Sequence, residues 1–319
     1  MSDRSLIVLS PDLQFSFYNQ LKIISEQYLS KALTDTILKM DIERIDGELL
    51  QLVSKDKIRK VAGWGLRGER IFPIPCILVA NPFLLGYYRL LFGFSQKQFY
   101  QSNIFGKFKG LEEKGIISTS FSDDIFWLCK CLIKTGECFV SGISNCSDEI
   151  IHDLQLLTIG PQLRGGRNTT LGKVATEDVF NLIKRIVSPY IRNADPKNIE
   201  IMNDSGRKIT IAFSSDPDIS ISEQALNRQH PLVSIEIKGG TDYSNIHNRL
   251  GEAEKSHQNA KSSGFHQFWT ILNIDIDDSI SYQESPTTTY FFPLHRIKEE
   301  GSKEYIRFRE ILFLTLGIH

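Results

Sequence analysis

Three charged residues stand out by type and spacing: Asp218, directly after Pro217, and the pair Glu236 and Lys238. Two carboxylates can hold a hard divalent cation such as Mg²⁺ through oxygen and leave ligand positions for water and a phosphate oxygen. A cation held there polarises a phosphodiester and lowers the pKa of a water beside it. An ammonium group next to the pair can position that water or stabilise charge on phosphorus. Glu-x-Lys is equally the spacing of an ordinary solvated ion pair, so the surrounding elements must decide.

Those elements are favourable. Val233, Ile235 and Ile237 alternate with Ser234, Glu236 and Lys238, the period of a half-buried strand, which puts Glu236 and Lys238 on one face. Gly239-Gly240 ends the strand and leaves room beside it. Eighteen residues separate Asp218 from Glu236, enough for a strand to run out and return alongside. Residues 208–213 alternate as an earlier strand that delivers the chain to Asp218. Asp216 is a rival ligand on the same face if that strand runs on; Pro217 favours Asp218.

Pro217-Asp218 followed by Glu236-Ile237-Lys238 resembles the PD-(D/E)xK nuclease superfamily. The wider run Glu236-Ile-Lys-Gly-Gly-Thr-Asp-Tyr-Ser-Asn-Ile-His-Asn-Arg-Leu-Gly-Glu-Ala-Glu-Lys-Ser-His-Gln-Asn-Ala-Lys261 is similar to type II restriction endonucleases of the XcyI family. The likeness extends over most of the chain. It implies an α/β fold with a C-terminal PD-(D/E)xK core, a mixed central sheet flanked by helices. It also implies Asp218 and Glu236 as Mg²⁺ ligands, Lys238 as the group that positions or activates the nucleophile, and the Ile237 carbonyl as a further ligand. The activity implied is Mg²⁺-dependent hydrolysis of double-stranded DNA at a short palindrome, CCCGGG in that family, leaving 5′-phosphate and 3′-hydroxyl ends. One chain type reading a palindrome implies a two-fold homodimer.

Composition sets outer bounds. With 319 residues, 41% hydrophobic and 24% charged, the chain is globular and long enough for two domains. We place them at residues 1–156, mainly helical, and 157–319, the nuclease domain. No apolar run approaches the ~20 residues that span a bilayer. Met1-Ser2-Asp3-Arg4 does not lead into a signal peptide. Five cysteines, an odd number, argue against a disulfide framework and for a reducing cytoplasm. The net charge of −1 counts mildly against a nucleic-acid partner, although local charge governs phosphate contact.

Along the chain, residues 11–60 show helical periodicity and residues 71–81 read as an extended connection. Residues 84–118 give three short helices punctuated by Gly93 and Gly115, with Ser95 as an N-cap. They resemble a helix-turn-helix, with residues 116–131 and 138–143 as strands of a wing. Gln96 and Lys97 would then reach DNA; a helical bundle that only packs or dimerises is the competing view. Cys129, Cys131, Cys138 and Cys146 are poorly spaced for zinc and read as buried structural cysteines on strands.

Residues 157–176 read as a polar loop in which Arg164 and Arg167 flank two glycines and either approach phosphate or stay solvated. Residues 174–191 form an amphipathic helix with Glu177 and Asp178 near its start, favourable to the helix dipole or available behind a metal site. The helix after Gly240 buries Ile246, Leu250, Ala253 and Ala260 and offers Arg249, Lys255 and Lys261 to a phosphate backbone. His247 on it either orients water or is a surface histidine. In the loop 224–230, Asn227, Arg228 and Gln229 carry donors suited to base edges, or form a plain polar hairpin. A strand at 265–274 and a helix at 305–316 close the domain. Two rival functions remain: a repair or recombination nuclease with the same centre, and a non-catalytic helix-turn-helix regulator.

Overall fold

Apolar residues at helical spacing build the first half of the chain, and period-two alternation builds the second. The structure, a computed structural model, describes residues 11–101, 104–117, 122–225, 228–275 and 277–319. The chain divides into two compact units, Met1–Gly166 and Arg167–His319. The helices run α1 (Asp12–Tyr28), α2 (Ser30–Ile37), α3 (Ile42–Leu52), α4 (Lys55–Gly63), α5 (Pro75–Ala80), α6 (Leu85–Leu91), α7 (Gln96–Tyr100), α8 (Lys109–Lys114), α9 (Ser122–Gly142) and α10 (Asp148–Ile186).

Several local expectations hold in the first unit. Ser95 caps α7 by accepting from the Gln98 amide at 3.1 Å. Gly115 ends α8 with φ +63°, and a Cβ there would meet the Phe83 ring at 2.6 Å. Others are overturned. Residues 71–81 are not all extended, because Pro75 opens α5 at its first helical position. The expected wing does not exist among the described residues: 122–142 is one helix. Ile125, Leu128, Cys129, Leu132, Ile133 and Val140 are all buried, a stripe of period 3.6 that overrides the strand preference of the individual residues. Its cysteines are therefore helical, and Cys138 is exposed. Gln96 turns inward, donating from Nε2 to Glu112 Oε1 at 3.0 Å, while Lys97 stays exposed.

Residues 157–176 lie inside the 39-residue α10, with Pro161 in its interior and Arg164 and Arg167 on helical backbone. Pro and Gly weaken a helix by about 1–3 kcal/mol each in isolation, but buried Ile151, Gln155 and Ile159 before them and Ala175, Val179, Phe180 and Ile183 after them tie both halves to packed cores. Glu177 and Asp178 are thus mid-helix, not near a helix start, and Asp178 Oδ2 accepts from Lys298 Nζ at 2.5 Å.

The second unit is one sheet in the order β1 (Ile191–Ala194), β2 (Asn198–Met202), β3 (Lys208–Phe213), β4 (Ile219–Ala225), β5 (Arg228–Lys238), β6 (Gln267–Leu272), β7 (Tyr290–Pro293). β1 to β5 form an antiparallel meander; β5, β6 and β7 are parallel. Parallel neighbours need a long crossover, supplied by α11 (Ile246–Ser262) and α12 (Asp278–Glu284). α13 (Leu294–Ile297) and α14 (Lys303–Leu316) follow. Ile235, Ile237, Trp269, Ile271 and Phe292 pack one face of the sheet on α10 and α14. α11 covers part of the other through Ile246 and Leu250, which meet Leu272 and Phe291. No helix among the described residues is long and apolar enough to cross a membrane.

Arg89 and Glu112 form a buried pair in the first unit, both side chains 1% exposed, with two bonds of 2.8 and 2.7 Å. Tyr100 and Gln96 complete the carboxylate shell. Breaking such a pair strands a buried charge, so Arg89→Met should cost about 3–5 kcal/mol, whereas adding Glu112→Leu should recover most of it. Urea unfolding of the single and double variants checks this.

Candidate active site

Asp218 lies one residue before β4, in the turn that leaves β3 at Phe213. The Ser214 amide donates to the Asp218 carbonyl at 3.1 Å and closes that turn. The strand does not run on through Asp216, which is exposed and lies in the turn two residues before Asp218. β4 and β5 are antiparallel with Ile219 opposite Ile235, so the eighteen-residue excursion is the hairpin that the spacing anticipates. Where the β4 backbone has ended, Asp218 Oδ2 accepts from the Ile237 amide at 2.8 Å. A side chain thus replaces a strand partner, which seats the Asp218 carboxylate against β5.

Glu236 and Lys238 share a face, as alternation requires. Lys238 Nζ donates to Glu236 Oε1 at 2.8 Å and lies 3.5 Å from Glu252 Oε2 of α11. β5 differs from the half-buried strand expected: Ser234 is 0% and Glu236 8% exposed, as buried as the isoleucines between them. β5 is internal to the sheet, and α11 closes over its polar face. Burial pushes both the Asp218 and the Glu236 carboxyls above their usual range; the Ile237 amide and Lys238 oppose this for Asp218, and Lys238 chiefly does so for Glu236. Burial works against the Lys238 charge, but Glu236, Glu252 and Asp218 outweigh it and hold the ammonium protonated. One ammonium serves the buried Glu236, the half-buried Asp218 and the exposed Glu252.

Gly239 is needed for a different reason than open space, and Gly240 lies under a movable arginine. A Cβ on Gly239 would come within 2.6 Å of the Leu171 carbonyl oxygen and the Ala175 Cβ of α10. One on Gly240 would strike the Arg249 guanidinium, whose Nη1 donates to the Gly240 carbonyl at 2.6 Å. Helix and arginine close in on the strand end. Beside them a cavity of about 520 Å³ is lined by Lys238, Gly240, Asn245, Asn248, Arg249 and Glu252, among others. A second, about 500 Å³, borders Asp218 and Glu177, and both touch Thr169 and Gly172 of α10.

Among the described residues no three His, Cys, Asp or Glu side chains converge to hold a metal by themselves. The donor set at hand is two carboxylates, of which Asp218 borders the second cavity, and such hard oxygens suit a cation such as Mg²⁺ that keeps much of its hydration. Lys255 and Lys261 are exposed on α11. Arg228 and Gln229 begin β5, about 25 Å along the strand from Glu236 at ~3.3 Å per residue, and Gln229 Nε2 donates to Ser222 Oγ at 2.5 Å. Asn227 lies outside the described residues. His247 is exposed and faces Glu284 at 3.1 Å.

Comparison with known proteins bears on the whole chain. The model of a family described as XcyI restriction endonuclease matches residues 18–319. The chain is 40% identical over 318 residues to the type II restriction enzyme Cfr9I of Citrobacter freundii, covering 97% of this chain and 96% of that one. It is 41% identical over 313 residues to the type II restriction enzyme XcyI of Xanthomonas campestris pv. cyanopsidis, covering 96% and 94%.

Sequence reasoning passed over Ser256 and His257, although the buried seam of Ala253 and Ala260 brackets them at helical spacing. His257 is fully buried, with Nε2 2.8 Å from Thr270 Oγ1. From Thr270 a chain of hydroxyls runs through Thr288 and Ser285 to Glu254, back on α11. Burial pushes the His257 imidazole down to about 4. The unfolded chain takes up that proton near pH 6.5, so between the two values the unfolded state binds more protons. Stability from this group is complete above pH 6.5 and falls as the pH drops toward 4. His257→Gln should shrink the loss between pH 7 and pH 4.5 by on the order of 2–3 kcal/mol, as measured by urea unfolding at both pH values.

Proposed function

Since the chain belongs to the XcyI restriction endonuclease family, we propose that it is a type II restriction endonuclease whose cleavage centre is Asp218, Glu236 and Lys238. The observation that carries the assignment of the centre is the meeting of these three at the end of β5, with Lys238 2.8 Å from Glu236 and Asp218 2.8 Å from the Ile237 amide. Double-stranded DNA is the substrate, and CCCGGG is the site the family resemblance points to.

Asp218 and Glu236 would hold the cation, with Mg²⁺ the best match to their hard oxygens. The Ile237 carbonyl is a further donor, since in an extended strand it points to the same side as the amide that Asp218 accepts from. When bound, such a cation supplies Lewis acidity at the scissile phosphate and acidifies water. Lys238 positions the attacking water in line with the leaving 3′-oxygen and balances charge on the phosphate oxygens. The products carry 5′-phosphate and 3′-hydroxyl ends. Glu252 and Glu236 keep the ammonium aimed along the strand face. Arg249, Lys255 and Lys261 on α11 supply the positive side of a surface for the phosphate backbone, with Asn245 and Asn248 as neutral donors on the same helix start. Arg228, Gln229, Lys97, Arg164 and Arg167 are further candidate contacts. A homodimer would give each strand of the palindrome its own centre.

Incubating the protein with a sequenced plasmid and Mg²⁺ should yield discrete fragments whose ends map to one short palindrome; uniform degradation overturns sequence-specific cutting. Glu236→Ala should lower the cleavage rate by about 10³-fold or more, the scale on which loss of one electrostatic group acts, with DNA binding retained in a gel-shift assay.

A further inference from the structure

Ser256 occupies a position for which the cleavage centre has as yet no role. It is 9% exposed and stands on the face of α11 that also carries Arg249 and Glu252, seven and four residues earlier. Its Oγ is 2.6 Å from Asp216 Oδ1 and 3.0 Å from Glu236 Oε2. A hydroxyl carries one proton, so Ser256 donates to one carboxylate at a time while sitting between both. Lys238 holds the other oxygen of Glu236 at 2.8 Å. One oxygen of Glu236 is thus held from its own strand, and the other is within reach of the helix above whenever the Ser256 proton turns from Asp216 to Glu236. Each carboxylate oxygen has two acceptor sites, so each keeps one for a cation.

Asp216 sits in the turn two residues before Asp218. Through Ser256 that turn is tied to Glu236, so one hydroxyl spans the two segments that carry the carboxylate pair. The next residue, His257, locks the same helical turn to β6 through Thr270. The helix cannot rotate Ser256 away without breaking that buried bond.

Resting on the assignment of Asp218 and Glu236 as the cation site, we infer that Ser256 is a positioning residue. It sets the Glu236 carboxylate and the Asp216 turn at the spacing a divalent cation requires, without touching substrate. Its effect is on cation affinity first and on turnover only through that affinity.

The test is Mn²⁺ binding to the full-length protein without DNA, read from the electron paramagnetic resonance signal of free Mn²⁺. Ser256→Ala and the nearly isosteric Ser256→Cys should raise the Mn²⁺ Kd about tenfold, the low end of the range for partners that orient metal ligands, while Ser256→Thr, which keeps the hydroxyl, should stay within about threefold of wild type. The Mg²⁺ concentration giving half-maximal cleavage should move in parallel, with kcat at saturating Mg²⁺ changing less. Glu236→Ala is the reference. If it loses Mn²⁺ while Ser256→Ala and Ser256→Cys bind as wild type does, the role of Ser256 is overturned and the site stands. If Glu236→Ala binds Mn²⁺ as wild type does, the cation site itself is wrong. Thermal melting by circular dichroism identifies a variant that has lost its fold, and Ser256→Cys, which leaves no hole, then carries the decision.

Discussion

One buried acid, one half-buried acid and one base share the end of β5, and that imbalance of charge governs the second unit. Burying a carboxylate is costly unless it is paired or hydrogen-bonded. Lys238 can satisfy only part of the demand from Glu236 and Asp218, while Glu252 is exposed to solvent. The remainder is met by a backbone amide at Asp218 and a serine hydroxyl at Glu236. Each of these comes from a different element, so the site exists only when β4, β5 and α11 are in register. The residual excess of negative charge is what the proposed divalent cation would offset.

The rest of the sheet can be understood as support for that arrangement. An antiparallel meander brings Asp218 beside Ile237, and the switch to parallel pairing after β5 forces a crossover helix over the polar face. α11 is that crossover. Its apolar seam anchors it on Leu272 and Phe291, and its Ser256 and Glu252 then reach the charged groups beneath. On the opposite face α10 approaches Gly239 so closely that no larger residue fits. The strand end is pinned from both sides, which gives a charged site on a regular element the rigidity that a loop would lack.

Much of this was legible from residues with strong local signals. The alternation of 233–238, the Ser95 cap, the turn at Gly115 and the seam of Ile246, Leu250, Ala253 and Ala260 each express a constraint acting within a few residues. The misread segments are those where a distant partner outweighs a local preference. Residues 157–176, with Pro161 and four glycines, read as a loop, yet burial at both ends keeps them helical. Residues 122–142 are rich in strand-forming types, yet their buried positions fall at helical spacing. Gln96 looked exposed because nothing nearby in sequence announces Glu112 as its partner.

By itself the sequence determined the chemical types available: two acids and an amine at strand spacing, a glycine pair after them and a polar helix beyond. That follows from side-chain chemistry and from the period of two, which need no third dimension. Only the tertiary structure decided that Asp218 replaces a strand partner for Ile237, that Glu236 is shut away from water, and that Ser256 bridges it to Asp216. Hydrogen bonds and burial between segments twenty and forty residues apart depend on how the sheet and helix pack, and no local pattern encodes that distance.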